Sequence, residues 1–109
     1  MKLFIDDLRY PPNDDWIIAR TYDEAIKILE TGLVSEISFD HDLGNENVVS
    51  EKSGYDIVCW IEQKLFTGEW TFIPKMSVHS MNPVGRRNIQ MVIDTINRFM
   101  PERMEELGL

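Results

Sequence analysis

Three short apolar runs in this chain each stop on ionisable side chains, and that pattern limits the possible folds most. Leu3-Phe4-Ile5 stops at Asp6-Asp7, Val34 to Phe39 stops at Asp40-His41-Asp42, and Met76-Ser77-Val78 stops at His79-Ser80-Met81-Asn82. Runs this short and this apolar read as buried strands, of the kind a parallel sheet contains. A further strand is expected at Trp16-Ile17-Ile18-Ala19-Arg20, after the turn cluster Pro11-Pro12-Asn13-Asp14-Asp15.

Helix signals fill the gaps between the strands. Thr21-Tyr22-Asp23-Glu24 has the spacing of a capping box, followed by the apolar set Ala25, Ile26, Ile28 and Leu29 and a stop at Gly32. Ser53-Gly54-Tyr55-Asp56 opens a second helix carrying Ile57, Val58, Trp60, Ile61 and Leu65. Asn82-Pro83 opens a third, with Asn as cap and Pro in the first turn; Ile89, Val92, Ile93, Ile96 and Phe99 supply its face, and Pro101 is expected to end it. Asn45 to Lys52 reads as a polar loop. Strands alternating with helices predict an α/β fold with a parallel sheet and helices on both faces. The join between the first two strands is too short for a crossover helix.

With 109 residues, 43% of them hydrophobic, and no repeat or linker, the chain is expected to be one domain over residues 1–109. A formal net charge of −8 argues against a broad nucleic-acid or membrane surface, but leaves room for a nucleotide or a short RNA end. The single Cys59 rules out a disulfide within the chain. Carboxylates at Asp6 and Asp7 interrupt the first apolar run too early for a secretion signal, and no run is long enough to span a membrane, so the cytoplasm is the expected location.

In an open parallel sheet the C-terminal strand ends share one edge, where ligands bind. The three polar segments therefore converge on one expected site. Each also has a plain structural reading. Asp6-Asp7 can be turn carboxylates, and His79-Ser80 a satisfied strand end. Asn82 to Asn88 can be a capped helix with solvated arginines, or a phosphate cradle with Gly85 allowing close approach. Asp40-His41-Asp42 weighs toward function, because three ionisable groups beside Ile37 and Phe39 are costly unless a cation, a hydrogen-bond network or a ligand offsets them. Cys59 and Trp60 read as core; Trp16 and Trp70 fit either core or a stacking face.

Asp6-Asp7 and Asp40 resemble the acidic triad of receiver domains, which bind magnesium there and are phosphorylated on the third-strand aspartate, and Ser80 falls where receivers place a serine or threonine. The first receiver helix and the fifth strand with its lysine are missing, and His41 and His79 are additions. That combination resembles the cyclic-phosphate processing receiver domain family. The resemblance is carried by Leu3-Phe4-Ile5-Asp6-Asp7-Leu8-Arg9-Tyr10-Pro11-Pro12, Arg20-Thr21-Tyr22-Asp23-Glu24-Ala25, Ser38-Phe39-Asp40-His41-Asp42-Leu43-Gly44, Ser53-Gly54-Tyr55-Asp56 and His79-Ser80-Met81-Asn82-Pro83-Val84-Gly85-Arg86. It implies a truncated receiver-like (flavodoxin-like) three-layer sandwich with about four strands ordered 2-1-3-4. It also implies hydrolysis of a cyclic phosphate on a nucleotide-like substrate or RNA end.

Such a reaction needs an activated water, a proton donor and charge stabilisation. His41 and His79 are the expected acid–base pair, in either order, with Asp42 or Asp7 orienting a histidine. Asp6, Asp7 and Asp40 are the expected ligands of Mg²⁺ or another divalent cation. Arg9, Ser80, Asn82, Gly85 and Arg86 are the expected phosphate-binding residues, and no organic cofactor is expected. Two rivals stand beside this reading: a signalling module phosphorylated on Asp40, and a non-catalytic interaction protein.

Overall fold

The computed structural model describes residues 1–43 and 52–109. Gly44 and most of the stretch read as a polar loop lie outside the described residues. The elements are β1 (Lys2–Ile5), β2 (Trp16–Ala19), α1 (Tyr22–Leu29), β3 (Glu36–Phe39), α2 (Gly54–Phe66), β4 (Lys75–Val78) and α3 (Pro83–Glu106). The four strands form one sheet in the order β2-β1-β3-β4, and every pair is parallel. This is the parallel α/β sheet that the strand and helix pattern predicts, in the truncated receiver-like arrangement that the resemblance implies.

The helix starts are built as the sequence suggests. Thr21 Oγ1 accepts the Glu24 amide at 3.1 Å, while the Glu24 carboxylate accepts the Arg20 amide at 2.7 Å, one residue before the cap. At α2 the Ser53 amide donates to Asp56 at 2.7 Å, and at α3 Asn82 Oδ1 accepts the Gly85 amide at 3.1 Å. Each contact satisfies an amide that has no partner within its helix.

The end of α3 differs from expectation. The helix continues through Pro101 to Glu106. Proline removes one backbone bond and crowds the preceding turn, but tertiary contacts hold the segment beyond it. Met100 is buried and Met104 packs on the core, and Arg103 Nε donates to the Phe66 carbonyl at 3.0 Å.

The layering also differs from a sandwich with helices on both faces. Alternation along the strands points Leu3, Ile5, Ile37 and Phe39 one way, and these join Ala25 and Leu29 of α1, Ile57 and Ile61 of α2, and Ile89 and Ile93 of α3 in one core. The register then places Phe4, Ile18, Ser38 and Ser77 side by side on the other face. Among the described residues no helix covers that face, because the β1–β2 connection that would carry one is helix-free. Phe4 is closed off instead by Trp16, edge-on with ring centres 6.1 Å apart, and by His79, stacked at 4.3 Å and 8°. No helix among the described residues is long and apolar enough to cross a membrane.

Candidate functional site

Parallel pairing extends one residue past each strand and aligns the strand ends. The Asp6 amide donates to the Ala19 carbonyl at 3.1 Å, the Asp40 amide to the Ile5 carbonyl at 2.8 Å, and the His79 amide to the Phe39 carbonyl at 2.9 Å. Asp6, Asp40 and His79 therefore stand next to one another on the C-terminal edge of the sheet, the register the three stopped runs anticipate.

Asp6 is the anchor. It is 1% exposed, and its Oδ1 accepts the amides of Leu8 at 2.9 Å and Arg9 at 2.8 Å. Its Oδ2 lies 2.9 Å from His79 Nε2. Burial pushes the Asp6 carboxyl upward, but the bonds from Arg9, Leu8 and His79 outweigh it and hold the group below the ordinary carboxylate range. Arg20 braces the same loop from below, donating to the carbonyls of Asp6 at 3.2 Å and Arg9 at 2.6 Å.

Asp7 and Asp40 complete a cluster in which each carboxylate has an oxygen within 4.8 Å of the others. Burial, followed by the charges of Asp40, Asp6 and Asp42, raises the Asp7 carboxyl above its ordinary value. The three oxygen donors fit a hard divalent cation. They line a cleft of about 240 Å³ together with Leu8, Arg9, Asp42, Met81 and Asn82.

His41 stands between two of the cleft's carboxylates. Its Nδ1 lies 3.0 Å from Asp42 Oδ1, and its amide donates to Asp40 Oδ1 at 2.8 Å. Two glycines let this loop pass. The Gly54 amide donates to the His41 carbonyl at 2.8 Å, and a Cβ on Gly54 would lie 1.8 Å from the Asp40 carbonyl oxygen. A Cβ on Gly85 would lie 2.3 Å from His41 Cγ. The β3 end is thus clamped between the first turns of α2 and α3, and the imidazole rests directly on the α3 backbone.

The other residues singled out in the sequence are placed as follows. Asp42 and Arg9 line the cleft with the acidic cluster. Ser80 is buried, and its Oγ accepts the Asn82 amide at 3.1 Å, so Ser80 and Asn82 shape the β4–α3 turn. The close approach that Gly85 permits is taken up by His41. Arg86 lines a different depression along α3, with Pro83, Arg87 and Gln90, apart from the cleft. Trp16 packs on the outer sheet face, and Trp70 packs on Trp60 and Phe72; neither lines the cleft. The Cys59 thiol is pushed up, chiefly by burial, so it is not an activated nucleophile.

Sequence reasoning missed Ser38, whose Oγ lies 2.7 Å from His79 Nδ1. The signal was a hydroxyl between Ile37 and Phe39 in an otherwise apolar run. It also missed Phe4 as the surface under His79, Arg20 as the brace of the first loop, and Gly54.

No curated protein and no solved structure matches this sequence. The family model described as the cyclic-phosphate processing receiver domain matches residues 1–95. That match covers all four strands and every residue lining the acidic cleft, so the chain belongs to the cyclic-phosphate processing receiver domain family.

Proposed function

We propose that the protein is a phosphoesterase that opens a cyclic phosphate on a small nucleotide-like molecule or an RNA end. The observation that carries this reading is that Asp42, bonded to the His41 ring beside the cleft, lines the same cleft as the three-carboxylate cluster. Family membership supports the substrate class.

Hydrolysis forms one P–O bond to water and breaks one P–O bond of the ring. His41 takes the water proton at Nε2, while Asp42 holds Nδ1 and favours the imidazolium that results. The freed ring oxygen becomes a hydroxyl with a proton gained at the open mouth of the cleft. Arg9 is the cleft's cationic side chain and faces the anionic substrate. Asp6, Asp7 and Asp40 would hold a divalent cation, which would supply charge neutralisation for the phosphate among four carboxylates. His79 has partners at both ring nitrogens, Ser38 and Asp6, so its part is to hold Asp6 rather than to exchange protons with substrate.

The same acidic cluster favours a second reading, a receiver-type module phosphorylated on Asp40. One screen separates the two. Purified protein is offered 2′,3′- and 3′,5′-cyclic nucleotides, RNA with a cyclic phosphate end, and ADP-ribose cyclic phosphate, each with Mg²⁺ or EDTA, and labelled acetyl phosphate in parallel. Turnover that disappears in His41→Ala is the expected result. Label retained on Asp40 without turnover would replace the proposal with the signalling module, and inertness in every arm would leave a non-catalytic interaction protein.

A further inference from the structure

We propose that Ser38 is a positioning residue, which locks the His79 ring so that the imidazole delivers a single, fixed hydrogen bond to Asp6; this deepens the reading of the acidic cleft above and rests on it. The three groups form an unbroken line on the helix-free face of the sheet. Ser38 Oγ lies 2.7 Å from Nδ1, and Nε2 lies 2.9 Å from Asp6 Oδ2. Hydrogen positions follow from the partners. An ionised carboxylate only accepts, so Nε2 carries the hydrogen. With one hydrogen on the ring, Nδ1 is a lone pair to which the Ser38 hydroxyl donates; with two, Nδ1 donates to Ser38 Oγ, so the hydroxyl holds the ring in either case.

Packing leaves this line little freedom. Ser38 is 8% exposed and Phe4 6%, and the ring lies flat on Phe4 at 4.3 Å. A stacked ring can still flip about its own bond, which would exchange nitrogens for carbons at both ends. Stacking on Phe4 does not resist that flip, whereas the Ser38 bond does. Ser38 comes from β3, His79 follows β4 and Asp6 follows β1, so the line ties three strands together just below the cluster. Carboxylates that face a cation are themselves held by hydrogen bonds, and loss of such outer partners weakens binding or activity by about 10–100-fold.

The test uses the intact protein, with Mn²⁺ as the probe cation and ¹⁵N-labelled histidine read by NMR at neutral pH. Wild-type His79 should show a hydrogen on Nε2 and a hydrogen-bonded Nδ1. Ser38→Ala should lose the Nδ1 signature and weaken Mn²⁺ binding by roughly tenfold. Ser38→Thr, which keeps the hydroxyl, should restore both, as a merely space-filling serine would not require. An Nε2 without a hydrogen in the wild type overturns the proposal, and so does wild-type Mn²⁺ affinity in Ser38→Ala. If the wild type takes up no Mn²⁺, the cation part of the functional reading falls and the ring spectra decide: an Asp6–His79 signature unmoved by Ser38→Ala overturns the proposal. If Ser38→Ala does not fold, the wild-type and Ser38→Thr spectra carry the decision. Absence of turnover on every cyclic phosphate fails the phosphoesterase reading alone.

Discussion

Gly85 offers the sharpest test of where His41 acts. A methyl at this position would meet His41 Cγ at 2.3 Å, Cδ2 at 2.5 Å and Cβ at 2.7 Å, and an ordinary contact begins near 3.4 Å, so the ring must retreat by about 1.1 Å. That is enough to break the 3.0 Å contact with Asp42. Stability should fall, but by less than at Gly54. Alanine is favoured over glycine in a helix by roughly 1 kcal/mol, and overpacking costs about 1–3 kcal/mol. The ring is about a quarter exposed and can rotate away, but His41 Cβ moves only with its clamped backbone, so the net loss should fall near roughly 1–3 kcal/mol, a shift of several degrees or more in Tm. Turnover should fall about 100-fold, the usual result of misplacing a reacting group by an ångström. Gly54→Ala is the contrast. Its methyl would meet the Asp40 carbonyl oxygen at 1.8 Å, which is backbone and cannot rotate away, so this variant should lose upwards of about 3 kcal/mol. Calorimetry beside turnover of the best cyclic phosphate reads both. Gly85→Ala with wild-type turnover and a displaced His41 resonance would refute the assignment of proton transfer to His41.

The remaining expectations concern charge and proton transfer. His41→Ala should lower turnover by about 10²–10⁴-fold with little change in melting, since the side chain fills no core. Asp7 is raised above its ordinary pKa, chiefly by burial, so its ionised form costs stability above that raised value and the cost lifts as pH falls through it. Asp7→Asn should therefore raise Tm at neutral pH without divalent cation, and should shrink any rise that Mg²⁺ gives the wild type through linkage. Asp6 has the opposite sign: its folded-state value is lowered, so its contribution is present above the ordinary carboxylate range and is lost as pH falls through the lowered value. Asp6→Asn should cost roughly 2 kcal/mol at neutral pH, the scale of a hydrogen bond to a charged group, and flatten the acid side of the stability profile, as urea melts over a pH series would show.

Much of this molecule is legible in the residue pattern, for local reasons. Caps such as Thr21, Ser53 and Asn82 act within four residues, and the stopped runs fix which residues end the strands, so the strand-end placement of Asp6, Asp40 and His79 needs only the parallel pairing. What the pattern does not carry is the choice between contacts made by residues far apart in sequence. Nothing in Gly85-Arg86 says that the glycine serves an imidazole 44 positions earlier while the arginine lines a separate depression. Ser38 is opaque for the same reason, because its partner is separated from it by 41 residues. Pro101 misleads because the rule for proline is local, while Met104 and Arg103 hold the segment beyond it through tertiary contacts.

The helix-free join between β1 and β2 explains why a histidine sits at position 79. With no helix on that side among the described residues, Phe4 and Ser38 of the two central strands face outward and need a cover supplied by their neighbours. An aliphatic side chain would shield Phe4 but leave the Ser38 hydroxyl and Asp6 Oδ2 without a partner, which is costly for groups this buried. A lysine would reach Asp6 and fail to stack. Imidazole meets all three demands, with its face on Phe4 and its two nitrogens on Ser38 and Asp6. Structure and function are therefore joined at this residue. His79→Ala should lose about 2 kcal/mol, and turnover per folded molecule should fall as well, because Asp6 loses the bond that aims it. His79→Asn should recover part of the stability, since an amide can bond one of the two partners, yet it is too short to span both and should leave turnover low. A variant of His79 that restores full turnover while leaving Ser38 and Asp6 unbridged would break the link between the outer sheet face and the cleft.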